Sequence, residues 1–261
     1  MELEPGSRVL ITGASRGIGR ALAQEFARRG CVLGLVARSE DELRALAAEL
    51  LGTGHEAVPA DVGRPEEAAD ALERFADPDV VVANAGVADY GPFPAMDLER
   101  VERMTRVNWL GTVYTVHAAL PGMLGRRRGH LVVVSSGAAL RTFPQAAVYG
   151  ATKAAQRGFA EALWHELAGT GVSVTIVYPG EIRTELHGHE RDSLPAWRAS
   201  AEESDPAELA REVVEAVEKE RRAVYYPRVV RALRTAHGVS PRVADLALRR
   251  LRGITAAPRG G

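Results

Sequence analysis

The sequence predicts an α/β fold, in which a doubly wound, seven-stranded parallel sheet carries helices on both faces. Short β-branched runs alternate with longer helical patterns, which is typical of βαβ units. Several runs are apolar at every position, as expected of strands covered on both faces, and right-handed crossovers close such strands into a doubly wound sheet. The predicted strands are Arg8–Thr12, Val32–Ala37, Ala57–Ala60, Val80–Ala83, His130–Ser135, Ser173–Tyr178 and Ala223–Tyr226.

Composition indicates a soluble protein with one large domain. The chain has 261 residues, 46% of them hydrophobic and 26% charged, which is ordinary for a globular protein. It lacks an apolar run of about 18 residues, and its acidic start, MELEPGSRVL, is unlike a signal peptide. We therefore expect a cytoplasmic protein. The single cysteine, Cys31, excludes an internal disulfide and is expected to be a buried apolar residue.

Two helix starts are marked by capping patterns. Ser39 precedes Glu42 by three residues, which predicts a capping box ahead of the segment LRALAAEL. Asp205, Pro206 and Glu208 combine an N-cap, a proline at the first helical position and an early acid.

A glycine-rich turn joins the first strand to the first helix. The sequence runs Gly13-Ala14-Ser15-Arg16-Gly17-Ile18-Gly19 and then RALAQEFARRG. Glycines allow a tight turn and a close approach of backbone to ligand, and a helix N-terminus offers free N–H groups to a pyrophosphate. A purely structural turn is the alternative, but the position between strand and helix favours a Rossmann-type dinucleotide site.

The end of the second strand indicates which dinucleotide binds. NAD enzymes place an acid there for the ribose hydroxyls, whereas NADP enzymes place an arginine near the 2′-phosphate. Here Arg38 and Ser39 follow the strand, and the next acids, Glu40 and Asp41, are explained by the helix dipole. Arg16 and Arg38 are predicted to converge on a phosphate, so NADP(H) is favoured over NAD(H). Two solvated surface arginines are the alternative.

A second constellation comprises Ser136, Tyr149 and Lys153. Tyr149 and Lys153 are four residues apart in a helical pattern, so their side chains share one face. A fixed ammonium favours the phenolate and would lower the pKa of the tyrosine toward the range that suits acid–base catalysis. Ser136 ends the strand HLVVVSS, from which its hydroxyl can donate to a carbonyl oxygen as charge develops.

These motifs resemble those of the short-chain dehydrogenases/reductases, in their compact single-domain branch. The resemblance covers residues 7–227 and includes the family pattern TGxxxGxG from Thr12 to Gly19. It implies that the serine thirteen residues before the tyrosine, Ser136 and not Ser135, is the catalytic one. The other positions that match family motifs are the adenine-contacting pair Asp61 and Val62, the segment Asn84, Ala85 and Gly86, the relay residue Asn108, and Pro179, Gly180, Ile182 and Thr184 near the nicotinamide.

The resemblance implies a mechanism as well as a fold. Hydride passes between a nicotinamide and a substrate carbon while Tyr149 gives or takes a proton, so the expected activity interconverts a carbonyl and an alcohol. Ser136 orients the oxygen, Lys153 binds the ribose and tunes Tyr149, and Asn108 holds a water that links Lys153 to solvent. The alternatives are a non-catalytic NADP-binding sensor or scaffold and an epimerase of the extended branch; the glycine spacing and the short C-terminal region argue against the epimerase. The family expectation is a homodimer or homotetramer.

Two further segments carry separate hypotheses. Residues 181–204 are expected to form a substrate lid, in which Leu186, Leu194 and Trp197 favour a fairly apolar substrate. His187 and His189 lie in the same segment, but they lack further ligands, so no metal is predicted.

Residues 228–261 are predicted to be a basic helical extension of a dinucleotide-binding and catalytic domain, 1–227. Residues 221–261 hold ten of the 33 basic side chains and one of the 34 acidic ones. The extension either packs its apolar side on the domain, beside the substrate opening or a partner subunit, or contacts an anionic membrane surface peripherally. Nucleic-acid binding is not expected, because no recognised module accompanies the charge.

Overall fold

The computed structural model describes residues 1–184 and 203–239. They contain one seven-stranded parallel sheet with helices around it. The strand order is β3-β2-β1-β4-β5-β6-β7, and every neighbouring pair is parallel. The predicted doubly wound α/β fold is therefore confirmed. The strands are β1 (Arg8–Thr12), β2 (Val32–Ala37), β3 (Glu56–Pro59), β4 (Val80–Ala83), β5 (Gly129–Val134), β6 (Val172–Pro179) and β7 (Ala223–Tyr226).

Helices of the described residues connect these strands. Both predicted N-caps are confirmed, since Ser39 accepts a hydrogen bond from the Glu42 N–H and Asp205 accepts one from the Ala207 N–H. The helices are α1 (Gly17–Arg28), α2 (Glu40–Glu49), α3 (Pro65–Arg74), α4 (Leu98–Met104), α5 (Gly111–Arg126), α6 (Ala147–Glu166), α7 (Pro206–Glu218) and α8 (Arg228–Val239), with a π-helical turn at Thr105–Leu110 between α4 and α5.

The core is divided between the two faces of the sheet. On β1, Val9 and Ile11 pack on one face with α1, α2 and α7, while Leu10 packs on the other with α3, α5 and α6. This alternation follows from the two-residue period of a strand, and burial of both faces explains why the strands are apolar throughout. Cys31 is buried in the first of these clusters, and burial raises the pKa of its thiol to about 11. It is a buried packing residue, as predicted.

The strand order reverses between β1 and β4, which are neighbours in space although β2 and β3 intervene in sequence. Beyond the carboxyl ends of such strands, the connections leave in opposite directions and open a crevice, where ligands of this architecture bind. The glycine turn after β1 and the segment after β4 border this crevice.

The C-terminal part is described only to residue 239. The first turn of α8 packs on the domain, and Val230 is only 3% exposed. Its side chain lies next to Gly137 and Gly180, within 3.5 Å and 3.1 Å of where a Cβ on these glycines would be. The division of the chain at residue 227 remains a prediction. The arginines of the tail beyond residue 239 lie outside the described residues. Among the described residues, no helix is both long enough and apolar enough to cross a bilayer.

The predicted lid is described only at its two ends. Ile182 and Ser204 form a parallel bridge, in which the Arg183 N–H donates to the Ser204 carbonyl and the Ser204 N–H donates to the Glu181 carbonyl. The segment that connects them therefore leaves and returns at one place. Leu186, His187, His189, Leu194 and Trp197 lie outside the described residues.

His130, on β5, is a buried titratable group away from the crevice. Its Nε2 lies 2.8 Å from the Thr175 hydroxyl, which itself donates to the Arg221 carbonyl at 2.6 Å. Because that hydroxyl hydrogen is engaged, Nε2 must donate, and Nδ1 remains a buried acceptor with no partner among the described residues. Burial lowers the pKa of His130 from 6.5 to about 4.

The structure predicts a loss of stability in acid because of His130. Since the folded pKa lies below the unfolded one, the unfolded chain binds more protons as the pH falls from 6.5 to about 4. The full loss from this group is about 3 kcal/mol. Urea denaturation between pH 7 and pH 4 measures it, with His130→Gln, which keeps a donor but does not titrate, as the comparison. Equal losses in the two proteins would contradict the assignment.

Candidate active site

A cavity of about 980 Å³ opens at the crevice between the two halves of the sheet. It is large enough for a dinucleotide and a small substrate together. Among the predicted site residues, only Gly19 and Asn108 do not line it. Those that do are Gly13, Ser15, Arg16, Gly17, Ile18, Arg38, Ser39, Asp61, Val62, Asn84, Ala85, Gly86, Ser136, Tyr149, Lys153, Pro179, Gly180, Ile182 and Thr184.

The glycine turn is shaped by contacts that no side chain would allow. Gly13 and Gly17 have φ angles of +66° and +56°, in the left-handed region. A Cβ on Gly19 would lie 2.1 Å from the Gly13 carbonyl oxygen, so α1 begins directly against the turn. Gly17 and Ile18, the first residues of α1, line the cavity, and the free N–H groups of a helix start are suited to bind phosphate.

Asn84 supports this turn from the end of β4. Its Nδ2 donates to the Thr12 carbonyl at 2.9 Å and to the Gly13 carbonyl at 3.2 Å, and its own N–H donates to the Thr12 hydroxyl. The Ala85 N–H donates to the same hydroxyl. The structure thus places the Asn84 amide where it holds the turn in shape, at the border of the cavity where cofactor contact was predicted.

Four arginines line the cavity, and one of them, Arg103, is paired with Asp89, so three have no ion pair among the described residues. Of these three, Arg16 and Arg38 were predicted to bind a phosphate, and the structure adds Arg106, from the π-helical turn. All three are exposed, and none has a side-chain ion pair with another described residue. Sequence reasoning missed Arg106, because only the fold brings it next to Gly63. Its Cγ lies 3.1 Å from the position that a Cβ on Gly63 would occupy. Unpaired guanidinium groups in the lining of a cavity favour a polyanionic ligand.

The predicted adenine-contacting pair, Asp61 and Val62, lines the same cavity as these arginines and the glycine turn. The carboxylate of Asp61 accepts a hydrogen bond from the Gly63 N–H at 2.9 Å. The backbone N–H of Asp61 donates to the Glu67 carboxylate at 2.7 Å. These bonds fix the turn after β3, so that Asp61 and Val62 border the cavity in a defined conformation.

Tyr149 and Lys153 come together on one face of α6, and Ser136 faces them from the end of β5. The Lys153 Nζ lies 5.9 Å from the centre of the Tyr149 ring, and both side chains are more than nine-tenths buried. The hydroxyl of Ser135 donates to the Lys153 carbonyl, whereas the Ser136 Oγ accepts only a 3.1 Å bond from the Ala138 N–H among the described residues. The geometry therefore leaves the Ser136 hydroxyl hydrogen available to a ligand.

Lys153 is buried without a carboxylate partner among the described residues. Its Nζ donates to the Val134 carbonyl at 3.0 Å. Burial lowers the pKa of Lys153 from 10.5 to about 7, because an ammonium loses hydration there. Two of its three N–H directions remain for groups in the cavity.

Asn108 lies behind the cavity and is completely buried. Its Oδ1 accepts the Val87 N–H at 2.8 Å, and its Nδ2 donates to the Val87 carbonyl and to the Thr152 hydroxyl. Gly86 separates it from Lys153, since a Cβ on that glycine would lie 3.3 Å from Asn108 Oδ1 and 3.5 Å from Lys153 Nζ. The structure thus brings Asn108 close to Lys153, while its side chain is bonded to protein groups.

Apolar groups line the cavity beside Tyr149, and two of them, Tyr90 and Phe143, were not assigned by sequence reasoning. The Tyr90 ring lies 5.9 Å from the Tyr149 ring at an angle of 60°, and Phe143 lines the same wall. Val229 and Val230 of α8 complete it, because the Gly180 N–H bonds to the Tyr226 carbonyl and brings α8 against β6. These contacts join segments far apart in sequence, and no local pattern indicates them.

The fold and cavity define the chain as a dinucleotide-binding α/β protein with a tyrosine–lysine site. Its residues 7–195 match the family described as short chain dehydrogenase. The chain belongs to that family, the short-chain dehydrogenases/reductases, and is an oxidoreductase; the resemblance seen in the motifs is confirmed.

Individual similar proteins are dehydrogenases or reductases as well. The chain is 41% identical over 189 residues to an 11-beta-hydroxysteroid dehydrogenase of Arabidopsis thaliana, a match that spans 69% of the chain but only 54% of that relative. A short-chain dehydrogenase from Sphingobium yanoikuyae, in complex with NADPH, superposes with a TM-score of 0.80 at 32% identity, covering 97% and 99% of the two chains. A dehydrogenase/reductase from Burkholderia phymatum, in complex with NAD, gives 0.83 at 25% identity, covering 98% and 100%.

Proposed function

We propose that the protein is an NADP(H)-dependent oxidoreductase that interconverts a carbonyl and an alcohol on a fairly apolar substrate, with Tyr149 as general acid/base. One observation carries this proposal. Ser136, Tyr149 and Lys153 line the same cavity as the glycine turn and the unpaired arginines. An acid–base site and a dinucleotide cradle thus share one enclosed space.

The residues present fit a nicotinamide dinucleotide. The close approach of Gly19 to Gly13 leaves room for phosphate against backbone, and the helix start supplies donors. Arg16 and Arg38 fit a 2′-phosphate, and the NADPH complex of the Sphingobium relative is consistent with this preference. The NAD complex of the Burkholderia relative shows that the fold alone does not decide between NADP and NAD.

Each catalytic side chain has a task that its position allows. When bound, the nicotinamide supplies or accepts the hydride. Ser136 donates its free hydroxyl hydrogen to the substrate oxygen and polarises it, and Tyr149 delivers or removes the proton on that oxygen. Lys153, held by the Val134 carbonyl, directs its remaining N–H groups toward the cofactor ribose and Tyr149.

The substrate class follows from the mouth of the cavity. Tyr90, Phe143, Val229 and Val230 present ring and aliphatic surface beside Tyr149. Such walls bind an apolar body and leave the polar contacts to Ser136 and Tyr149. The hydroxysteroid dehydrogenase named among the relatives is consistent with a secondary alcohol or ketone on an apolar skeleton.

The experiment follows the absorbance of NADPH with a panel of carbonyl compounds. Steroid ketones, retinoids, acyl ketones and simple aldehydes are offered at matched concentrations, with NADH in parallel reactions. The proposal expects oxidation of NADPH with at least one apolar carbonyl and slower oxidation of NADH. Silence across the panel, with NADPH bound, would count for the non-catalytic sensor or scaffold instead.

We further expect a cytoplasmic homodimer or homotetramer. Peripheral membrane contact through the basic tail is a weaker hypothesis, which flotation with anionic liposomes tests.

Replacing Arg38 with aspartate is expected to weaken NADPH binding about a hundredfold and to leave NADH binding within a few fold. A charge-assisted contact to phosphate contributes about 1.5–3 kcal/mol, and the introduced carboxylate also repels the 2′-phosphate. Fluorescence titration of the purified protein with each cofactor measures the two constants.

Arg44 offers the matched control for this substitution. It is an exposed arginine on α2 that pairs with Glu40 and does not line the cavity. Arg44→Asp should bind both cofactors as the unaltered protein does. An equal loss for NADPH and NADH in Arg38→Asp would show that Arg38 does not read the 2′-phosphate.

A further inference from the structure

Gln156 is a buried amide on α6 that the mechanism above does not use. We infer that Gln156 is a positioning residue, which holds the Tyr149–Lys153 pair in place through the backbone carbonyl of Asn108. The inference rests on the proposed function and adds to it a residue that touches neither substrate nor cofactor.

Gln156 shares a helix face with the two residues it is inferred to serve. Tyr149, Lys153 and Gln156 stand at positions i, i+4 and i+7 of α6. The Gln156 side chain is completely buried, and its Nε2 donates to the Asn108 carbonyl at 2.8 Å and to the Thr112 hydroxyl at 2.7 Å.

The orientation of this amide is fixed by its surroundings. A backbone carbonyl only accepts, and the Thr112 hydroxyl already donates to that same Asn108 carbonyl at 2.8 Å. The atom that faces both must therefore be the nitrogen. The Gln156 Oε1 then points elsewhere and has no partner among the described residues. A buried unpaired acceptor is unfavourable, so packing alone would be served better by an apolar side chain here.

The carbonyl that Gln156 binds belongs to the π-helical turn Thr105–Leu110. A π-helical turn departs from the regular backbone bonding of an α-helix, and such turns are frequently found at functional sites. Gln156 and Thr112 supply two donors to the Asn108 carbonyl. They hold the turn in the conformation that aims the Asn108 side chain.

From Asn108 the contacts lead directly to the active site. Its side chain binds both backbone groups of Val87, next to Gly86, which faces Lys153. Its Nδ2 also donates to the Thr152 hydroxyl at 3.1 Å, and that hydroxyl donates to the Tyr149 carbonyl at 2.8 Å. A displacement of Asn108 would therefore move the first turn of α6 and the segment beside the nicotinamide end together.

The kinetic test uses Gln156→Met, which keeps the volume and removes the donor. We expect kcat to fall about 10- to 100-fold, because small misplacements of reacting groups have effects of this size. The KM for NADPH should stay within about threefold, and the pH at half-maximal kcat should shift by about 0.5 unit or more. A kcat within twofold of the unaltered enzyme, or an unshifted pH profile, would overturn the inference.

Thr175→Val is the control for a merely structural effect. It removes a buried hydroxyl that bonds to His130 and to the Arg221 carbonyl, outside the cavity lining. We expect a comparable loss of thermal stability with kcat and the pH profile unchanged. If this variant alters kcat as strongly as Gln156→Met does, positioning by Gln156 is excluded.

A second readout needs no substrate. The chain has two lysines, Lys153 and Lys219, so protein labelled with ¹³C,¹⁵N-lysine gives two side-chain signals, which Lys219→Arg assigns. In Gln156→Met the titration midpoint of Lys153 should move by about 0.5 unit or more, and that of Lys219 should not. If the unaltered protein reduces no carbonyl, the proposed function fails, and this titration alone decides on Gln156. An identical Lys153 midpoint in the two proteins would then overturn the inference.

Thr112→Val serves if Gln156→Met does not fold. It removes the second donor to the Asn108 carbonyl, a hydroxyl that also accepts a bond from the Gln156 amide, and it is expected to lower kcat about fivefold or more, again with a shifted pH profile. Thr112→Ser keeps the hydroxyl and should restore both values. Unchanged kinetics in Thr112→Val would overturn the inference as well.

Discussion

Replacing Tyr149 with phenylalanine is expected to lower kcat for carbonyl reduction about a thousandfold while the dissociation constant for NADPH stays within twofold. The substitution removes the proton donor and keeps the ring against Tyr90, so the cavity retains its shape. Stopped-flow measurement of NADPH oxidation and a fluorescence titration on the same preparation test the two halves of this expectation.

Tyr226→Phe is the matched control. Tyr226 lies on β7, its hydroxyl bonds to Glu208 at 2.5 Å, and it does not line the cavity. This variant should turn over as the unaltered enzyme does. Turnover in Tyr149→Phe within tenfold of normal would remove Tyr149 from the mechanism. Loss of NADPH binding would show that the ring supports the cofactor and not only the proton transfer.

Replacing Lys153 with methionine is expected to lower kcat by a similar factor and, in the same protein, to raise thermal stability. Burial lowers the pKa of Lys153 from 10.5 to about 7. Between these two pH values, Lys153 is protonated in the unfolded chain and largely neutral in the folded one. The buried amine thus destabilises the fold at neutral pH by roughly 4 kcal/mol. Loss of its bond to Val134 offsets about 1 kcal/mol of the gain. A net gain of about 3 kcal/mol would raise the Tm by roughly 5 °C or more.

The dependence on pH separates this explanation from improved packing. Stability of the unaltered protein should rise relative to that of Lys153→Met as the pH increases from 7 to 10, because the folded group sheds its proton first. Lys219→Met is the comparison, since Lys219 is exposed and pairs only with Glu215 among the described residues. Parallel stability curves for Lys153→Met and the unaltered protein, or a lower Tm for the variant, would contradict the expectation.

Most of the fold could be predicted because its signals are local. Continuous apolar runs placed all seven strands to within two residues at each end, and the Ser39 and Asp205 caps marked two helix starts. The glycine turn and the spacing of Tyr149 and Lys153 are local too, so they were found from the sequence. Their convergence on one cavity follows from the parallel sheet, whose strand ends share one edge.

The parts that sequence reasoning missed depend on contacts between distant segments. Arg106 reaches the cavity because the helix after β4 is interrupted by a π-helical turn, and the side-chain period of an α-helix does not reveal such a turn. Val230 belongs to the extension whose apolar side was, as one of two alternatives, predicted to pack on the domain; it borders the same space because α8 folds back against Gly180. Gln156 lies on the face of Tyr149 and Lys153, so helical spacing could have drawn attention to it, but its partner Asn108 is 48 residues away.

The bridge between Ile182 and Ser204 has a consequence for engineering. Because the chain leaves and re-enters the domain at adjacent backbone positions, residues 185–202 can be exchanged as a cassette. Doubling the length of such an insert would reduce stability by only about 0.6 kcal/mol, as the entropy of loop closure grows slowly. Segments taken from relatives can therefore replace residues 185–202 while the bridge between Ile182 and Ser204 keeps the two points of attachment together.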